Sequence, residues 1–127
     1  MTPTEPSARE KASQLLREGL YNESIEFLEE ALRENPKDPE IHLYLGYAYA
    51  KLDQLDKSIE VLEKAVDVAP TSPKVHYNLG VAYHKANNLT GAKEEYLRAL
   101  GLDPTYSLAR QALEGLDQQT GGTTPAK

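Results

Sequence analysis

The chain has 127 residues, 39% hydrophobic and 27% charged, with a net charge of −6 and no cysteine. That composition suits one folded domain. It excludes a disulfide framework and a thiolate metal site, and an acidic balance does not favour nucleic acid. No run approaches the ~18 apolar residues of a membrane span, and the opening MTPTEPSAREK lacks the apolar core of a secretory signal, so a cytoplasmic protein with no membrane insertion is expected.

Residues 1–6, with Pro3 and Pro6, read as a flexible leader. A first helix is predicted from Ser7 to Glu18, its apolar set Ala8, Ala12, Leu15 and Leu16, broken by Gly19. A second begins at Asn22 as N-cap and carries Ile25, Leu28, Ala31 and Leu32 to the stop at Asn35-Pro36. Asp38-Pro39 opens the third. Aspartate accepts from the free first-turn amides, and proline has no amide to leave unpaired. That helix carries Ile41, Leu45, Ala48, Tyr49 and Leu52 to a turn at Asp53-Gln54. Asp56 is the expected cap of a fourth helix bearing Ile59, Leu62, Ala65 and Val66, ending at Pro70. Ser72-Pro73 opens the fifth, with Val75, Leu79, Ala82, Tyr83 and Ala86, and Asn87-Asn88 supplies a left-handed turn. The sixth carries Ala92, Tyr96, Ala99, Leu100 and Leu102 to Pro104. A seventh, from Ser107 to Asp117, has an apolar face of Leu108, Ala109, Ala112, Leu113 and Leu116, and residues 118–127 read as a disordered tail.

These helices repeat. His42, Leu45, Gly46, Ala48, Tyr49, Lys51, Leu55, Glu60, Ala65 and Pro70 recur without a gap 34 residues later as His76, Leu79, Gly80, Ala82, Tyr83, Lys85, Leu89, Glu94, Ala99 and Pro104. Glu26, Ala31 and Pro36 fall into the same register one period earlier. A fixed period of this length is the signature of a stacked repeat. The units Leu45-Gly46-x-x-Tyr49, Ser58, Leu62, Ala65, Pro70 and Leu79-Gly80-x-x-Tyr83, Ala92, Tyr96, Ala99, Pro104 resemble the tetratricopeptide repeat. The first unit departs from the pattern, with Lys11-Ala12-x-x-Leu15 at its core, while Ser24, Leu28, Ala31 and Pro36 hold. The resemblance implies an all-α fold of antiparallel helix pairs stacked into a right-handed superhelical α-solenoid. It would have repeats at about 5–38, 39–72 and 73–106 and a capping helix over 107–117, within a domain spanning 7–117. His42 and His76 stand where the family more often has an aromatic ring and are read as packing residues, since two histidines alone do not make a zinc site.

The resemblance also implies that the first helix of each pair lines a concave groove. Its lining would be Arg9, Ser13, Leu16 and Arg17, then Glu40, Leu43, Tyr44, Tyr47, Ala50 and Lys51, then Lys74, Tyr77, Asn78, Val81, His84 and Lys85, with Gln111 closing it. Tyr44, Tyr47, Tyr77 and Val81 are left over by the repeat core and are candidate peptide anchors, tyrosine giving large contact area at low entropic cost. Packing between adjacent first helices is the alternative role for them. Arg9, Arg17, Lys51, Lys74 and Lys85 outweigh Glu40 on this face, whereas the second helices are acidic, so the fitting ligand is an extended peptide with apolar and negative groups. At the positions of the family's clamp for chaperone-tail carboxylates stand Arg9, Ser13, Tyr44, Lys74 and Asn78; only Lys74 matches and Arg9 keeps the charge. The expected function is a non-catalytic protein-interaction scaffold with no cofactor and no metal. The alternative is a self-assembling unit forming homo-oligomers through its degenerate first repeat.

Overall fold

The computed structural model describes residues 5–120, and these contain seven α-helices and no strand. They are α1 (Ala8–Arg17), α2 (Tyr21–Glu34), α3 (Pro39–Lys51), α4 (Leu55–Val68), α5 (Pro73–Lys85), α6 (Leu89–Leu102) and α7 (Ser107–Thr120). The chain divides after Val68 into two compact units. In the first, α1 packs on α2, α2 on α3 and α3 on α4; in the second, α5 packs on α6 and α6 on α7.

The helix ends explain the periodicity. Gly19, Asp53 and Asn87 have φ of +80°, +61° and +64° and stand one repeat apart. Each is followed by an amide that reaches back to close the turn, Leu20 to the Leu15 carbonyl (2.9 Å), Gln54 to Tyr49 (2.8 Å) and Asn88 to Tyr83 (2.8 Å). This left-handed termination satisfies carbonyls that the helix leaves free, and glycine, asparagine and aspartate adopt it at least cost. The starts are capped by side chains at four helices. Ser7 and Glu10 form a reciprocal capping box on α1, and Asp38, Ser72 and Asn88 accept first-turn amides of α3, α5 and α6.

Two expected caps are corrected. Asn22 lies inside the first turn of α2, whose N-cap is Leu20 with no side-chain bond. Asp56 lies in the first turn of α4, where the Ser58 amide already donates to the Gln54 carbonyl (3.0 Å). In both cases the back-bonded turn sets the helix start directly, and Asp56 complements the positive helix end instead.

Small residues set the pair spacing. A Cβ on Gly46 would lie 2.6 Å from Leu62 Cγ, and one on Gly80 2.6 Å from Tyr96 Cε1. Ser24 Oγ donates to the Ala12 carbonyl (3.1 Å) and Ser58 Oγ to the Gly46 carbonyl (2.8 Å), so each buried hydroxyl ties the second helix of its pair to the first. The first unit's core holds Ala12, Leu28, Ala31, Ile41 and Leu45; the second's holds Ala92, Tyr96, Ala99, Ala109 and Leu116. Burial around Tyr96 pushes its phenol pKa up to about 12, with Tyr77 adding to the shift.

The last helix differs from expectation. It continues to Thr120, so residues 118–120 are helical, and Leu108, placed on the apolar face, is 50% exposed. Leu102 of α6 is exposed as well. Of the expected leader, Glu5 and Pro6 precede α1 without helical structure; residues 1–4 and the tail positions 121–127 lie outside the described residues.

Candidate peptide-binding faces

In the first unit the candidate residues come from α1 and α3. Asp38 works twice at the start of α3. One carboxylate oxygen accepts the Glu40 amide (2.9 Å), and the other holds Arg9 Nη1 (3.0 Å). The Arg9 guanidinium lies 5.9 Å from the centre of the Tyr44 ring. A cavity of about 540 Å³ opens there, lined by Ser7, Arg9, Glu10, Ser13 and Tyr44. Ser13 Oγ accepts from Arg17 Nη1 (2.9 Å), and Arg17 Nη2 donates to Gln14 Oε1 (2.9 Å). Arg9 is thus an ion-paired, stacked cation, while Arg17 is held by neutral acceptors.

The other end of α3 has a different character. Tyr47 is 49% exposed. Tyr21 meets it edge to face with centroids 6.2 Å apart, and the Lys51 ammonium lies 5.5 Å from the Tyr47 ring centre. Tyr47 and Lys51 are one turn apart on one helix face. Tyr21 was not among the sequence candidates. The available signal was a tyrosine directly after the Gly19-Leu20 turn, and Leu20 itself is exposed.

Several other candidates also pack in the cores. Leu43 is 6% exposed and is buried rather than lining a face. Tyr44 packs against the first unit's core, and Tyr77 and Val81 against the second's, so the view of these three as spare is corrected. Tyr77 stacks between Tyr96 and Tyr106 at 5.9 and 5.8 Å. The reason is that Tyr106, in the turn before α7, stands where the earlier units have the capping residues Asp38 and Ser72, so the repeat signature does not announce it. On the rest of α5, Asn78 Nδ2 donates to the Lys74 carbonyl (2.8 Å), and His84 Nε2 donates to Gln119 Oε1 on α7 (2.6 Å). Lys74 and Lys85 are exposed near opposite ends of the helix, and Gln111 is exposed on α7.

Both repeat histidines are buried. His42 Nδ1 donates to the Asp38 carbonyl (3.1 Å). His76 does more. Its Nε2 donates to the Pro70 carbonyl (2.7 Å), and its Nδ1 faces Glu95 Oε1 (2.8 Å), while the second Glu95 oxygen binds Arg98. This buried network was missed from sequence, although Glu95 is an acid where the two earlier repeats place Phe27 and Val61. Among the described residues no group of three or more histidine or acidic side chains is arranged for a metal ion, and no helix is long and apolar enough to cross a membrane.

Comparison with known proteins agrees with this geometry. Sequence models of the tetratricopeptide repeat match residues 15–67 and 73–106, and one of the TPR repeat matches residues 51–87. No curated protein matches the chain. Among solved structures, the first TPR domain of human RPAP3 is similar at 24% identity, covering 90% of each chain with a TM-score of 0.85. The first TPR of Spaghetti, bound to the HSP90 peptide SRMEEVD, is similar at 23% identity over 91% of each chain, TM-score 0.84. The Sgt2 TPR domain from Aspergillus fumigatus is 24% identical, covering 99% of this chain and 89% of that one, TM-score 0.82. With three matches running from residue 15 to residue 106 and an all-α fold of helix pairs shared with these domains, the chain belongs to the tetratricopeptide repeat family.

Proposed function

We propose that the chain is a non-catalytic, cytoplasmic interaction scaffold that takes a peptide or extended partner segment on the first-helix faces of its repeats. The observation that carries this reading is Tyr47, a large ring half exposed on α3 beside a lysine, in a fold whose other large rings are mostly packed away. Exposed aromatic rings next to cations are the groups that dominate binding energy at interfaces. The solved neighbours give support in kind, since one TPR domain is described with an HSP90 peptide and another with an HSP70 peptide. The contacting residues on this reading are Arg9, Ser13, Arg17, Tyr44, Tyr47 and Lys51 of the first unit and Lys74, Tyr77, Asn78, Val81, His84 and Lys85 of the second, with Leu43 beneath the first set.

The test is selection of displayed random twelve-residue peptides on the wild-type chain and on Tyr47→Ala. Enriched peptides that lose binding to the variant support the reading; no enrichment, or enrichment that the variant retains unchanged, refutes it. Tyr77→Ala is unsuitable alone, because that ring also packs in the core.

A second reading, self-association, is favoured by one observation. The first repeat leaves a depression of about 770 Å³ whose lining includes Leu15 and Phe27. A molecular mass constant across a light-scattering concentration series removes it.

A further inference from the structure

We infer that the first unit recognises an internal segment in which an apolar side chain stands next to a carboxylate, at the corner formed by Tyr21, Tyr47 and Lys51, and that it needs no free C-terminus. The inference rests on the peptide-binding reading and specifies its ligand.

Three candidate cations on this unit could meet a carboxylate, Arg9, Arg17 and Lys51, and they are not equivalent. Arg17 is already hydrogen-bonded to Ser13 and Gln14, and among the described residues no aromatic ring stacks beside it to seat an apolar neighbour. Arg9 is already neutralised. Its partner Asp38 cannot swing away freely, because its other oxygen caps α3. A terminal carboxylate arriving at Arg9 would compete with an ion pair that is built in, 43% of the Arg9 and 24% of the Asp38 side chain being exposed. The neighbouring positions give it little further help, since Ser13 is engaged by Arg17 and Tyr44 lies under the guanidinium. Lys51 is different. Among the described residues it has no carboxylate partner, and its ammonium lies over the Tyr47 ring face.

The corner also has shape. Tyr21 stands edge-on to Tyr47, so the two rings form an angle rather than a flat patch, with the exposed Leu20 next in the chain. An apolar side chain can sit in that angle, and the ammonium held over the Tyr47 ring is placed for an acid on an adjacent residue. Aromatic rings supply contact area with little entropy loss, and the ammonium supplies charge selectivity. The Arg9 cluster and the Lys51 corner lie at opposite ends of α3. Eleven steps from Glu40 to Lys51 at about 1.5 Å each separate them by roughly 16 Å, so a ligand held at the corner is not held by Arg9 at the same residue.

The probe is an acetylated, amidated peptide, Gly-Ser-Gly-Leu-Glu-Leu-Glu-Gly-Ser-Gly, titrated into isotope-labelled full chain and followed by amide chemical shifts. Shifts centred on Tyr21, Tyr47 and Lys51 are expected. The free-acid form should bind within twofold of the amide. Tyr47→Ala should weaken binding at least fivefold with the helical spectrum unchanged. Lys51→Gln should weaken this probe, yet leave a Leu-Gln-Leu-Gln version unaffected. The inference is overturned if the peptide causes no shifts, if a Leu-Lys-Leu-Lys version binds equally well, or if the free acid binds tenfold more tightly with shifts at Arg9. Enriched peptides that need Tyr47 but neither Lys51 nor a carboxylate would leave the scaffold reading standing and remove this one.

Discussion

Gly46→Ala and Gly115→Ala are the same chemical change in two helix interiors, and they should have opposite signs. Alanine exceeds glycine in helix propensity by about 1 kcal/mol, so a site with free space around it gains most of that amount. Gly115 in α7 has nothing within 4 Å of an added Cβ. At Gly46 the added Cβ would meet three Leu62 carbons at 2.6, 2.8 and 2.9 Å. Leu62 is 4% exposed and cannot swing outward, so α3 and α4 must separate or Leu62 must leave its rotamer. Overpacking costs about 1–3 kcal/mol, and three carbons within 3.0 Å place this site in the upper half, about 2–3 kcal/mol, which outweighs the propensity gain and leaves a net loss of about 1–2 kcal/mol. Thermal unfolding followed by circular dichroism should show Tm lowered by roughly 3–12 °C in Gly46→Ala and raised by a few degrees in Gly115→Ala. A cycle sharpens the test, since in a Leu62→Ala background the clash is gone and Gly46→Ala should become neutral or stabilising. If Gly46→Ala stabilises the wild-type chain as Gly115→Ala does, the close approach of α3 and α4 is wrong.

Two other outcomes follow from buried polar groups. With its phenol pKa raised to about 12, Tyr96 stays neutral in the fold while an unfolded tyrosine ionises near pH 10. Stability from this group is therefore complete below about pH 10 and falls as pH rises toward 12, by at most ~1.4 kcal/mol per pH unit. Tyr96→Phe should flatten that fall and remove the last-ionising phenol from an absorbance titration. Glu95→Ala should destabilise by about 1–3 kcal/mol in urea unfolding, because it strips His76 Nδ1 of its buried partner, whereas the paired change His76→Phe with Glu95→Val should cost much less; equal losses in both variants would contradict the network.

The resemblance of the chain to a repeat family was legible because its causes are local and recur. Asp38-Pro39 and Ser72-Pro73 start helices, Asp53 and Asn87 end them, and Gly46 and Gly80 mark close approach. Each needs only its neighbours within one helix pair, so a 34-residue period carries it. Asn22 and Asp56 were misread for the complementary reason. These two helix starts are set by a back-bonded turn, and that bond depends on the conformation of residue 19 or 53, not on the side chain downstream.

The sequence by itself determined the family, the seven helices and which residues fill each pair. Tertiary structure decided which of the remaining residues are free to bind. Tyr44, Tyr47 and Tyr77 look alike in the chain, yet the turn before α7 brings Tyr106 against Tyr77, and Arg9 covers Tyr44. Tyr47 alone of the three stays exposed, with Tyr21 delivered beside it by the turn after α1. Exposure and pairing depend on what distant segments place against a side chain. A periodic pattern records only the face a residue is on, not what comes to cover it.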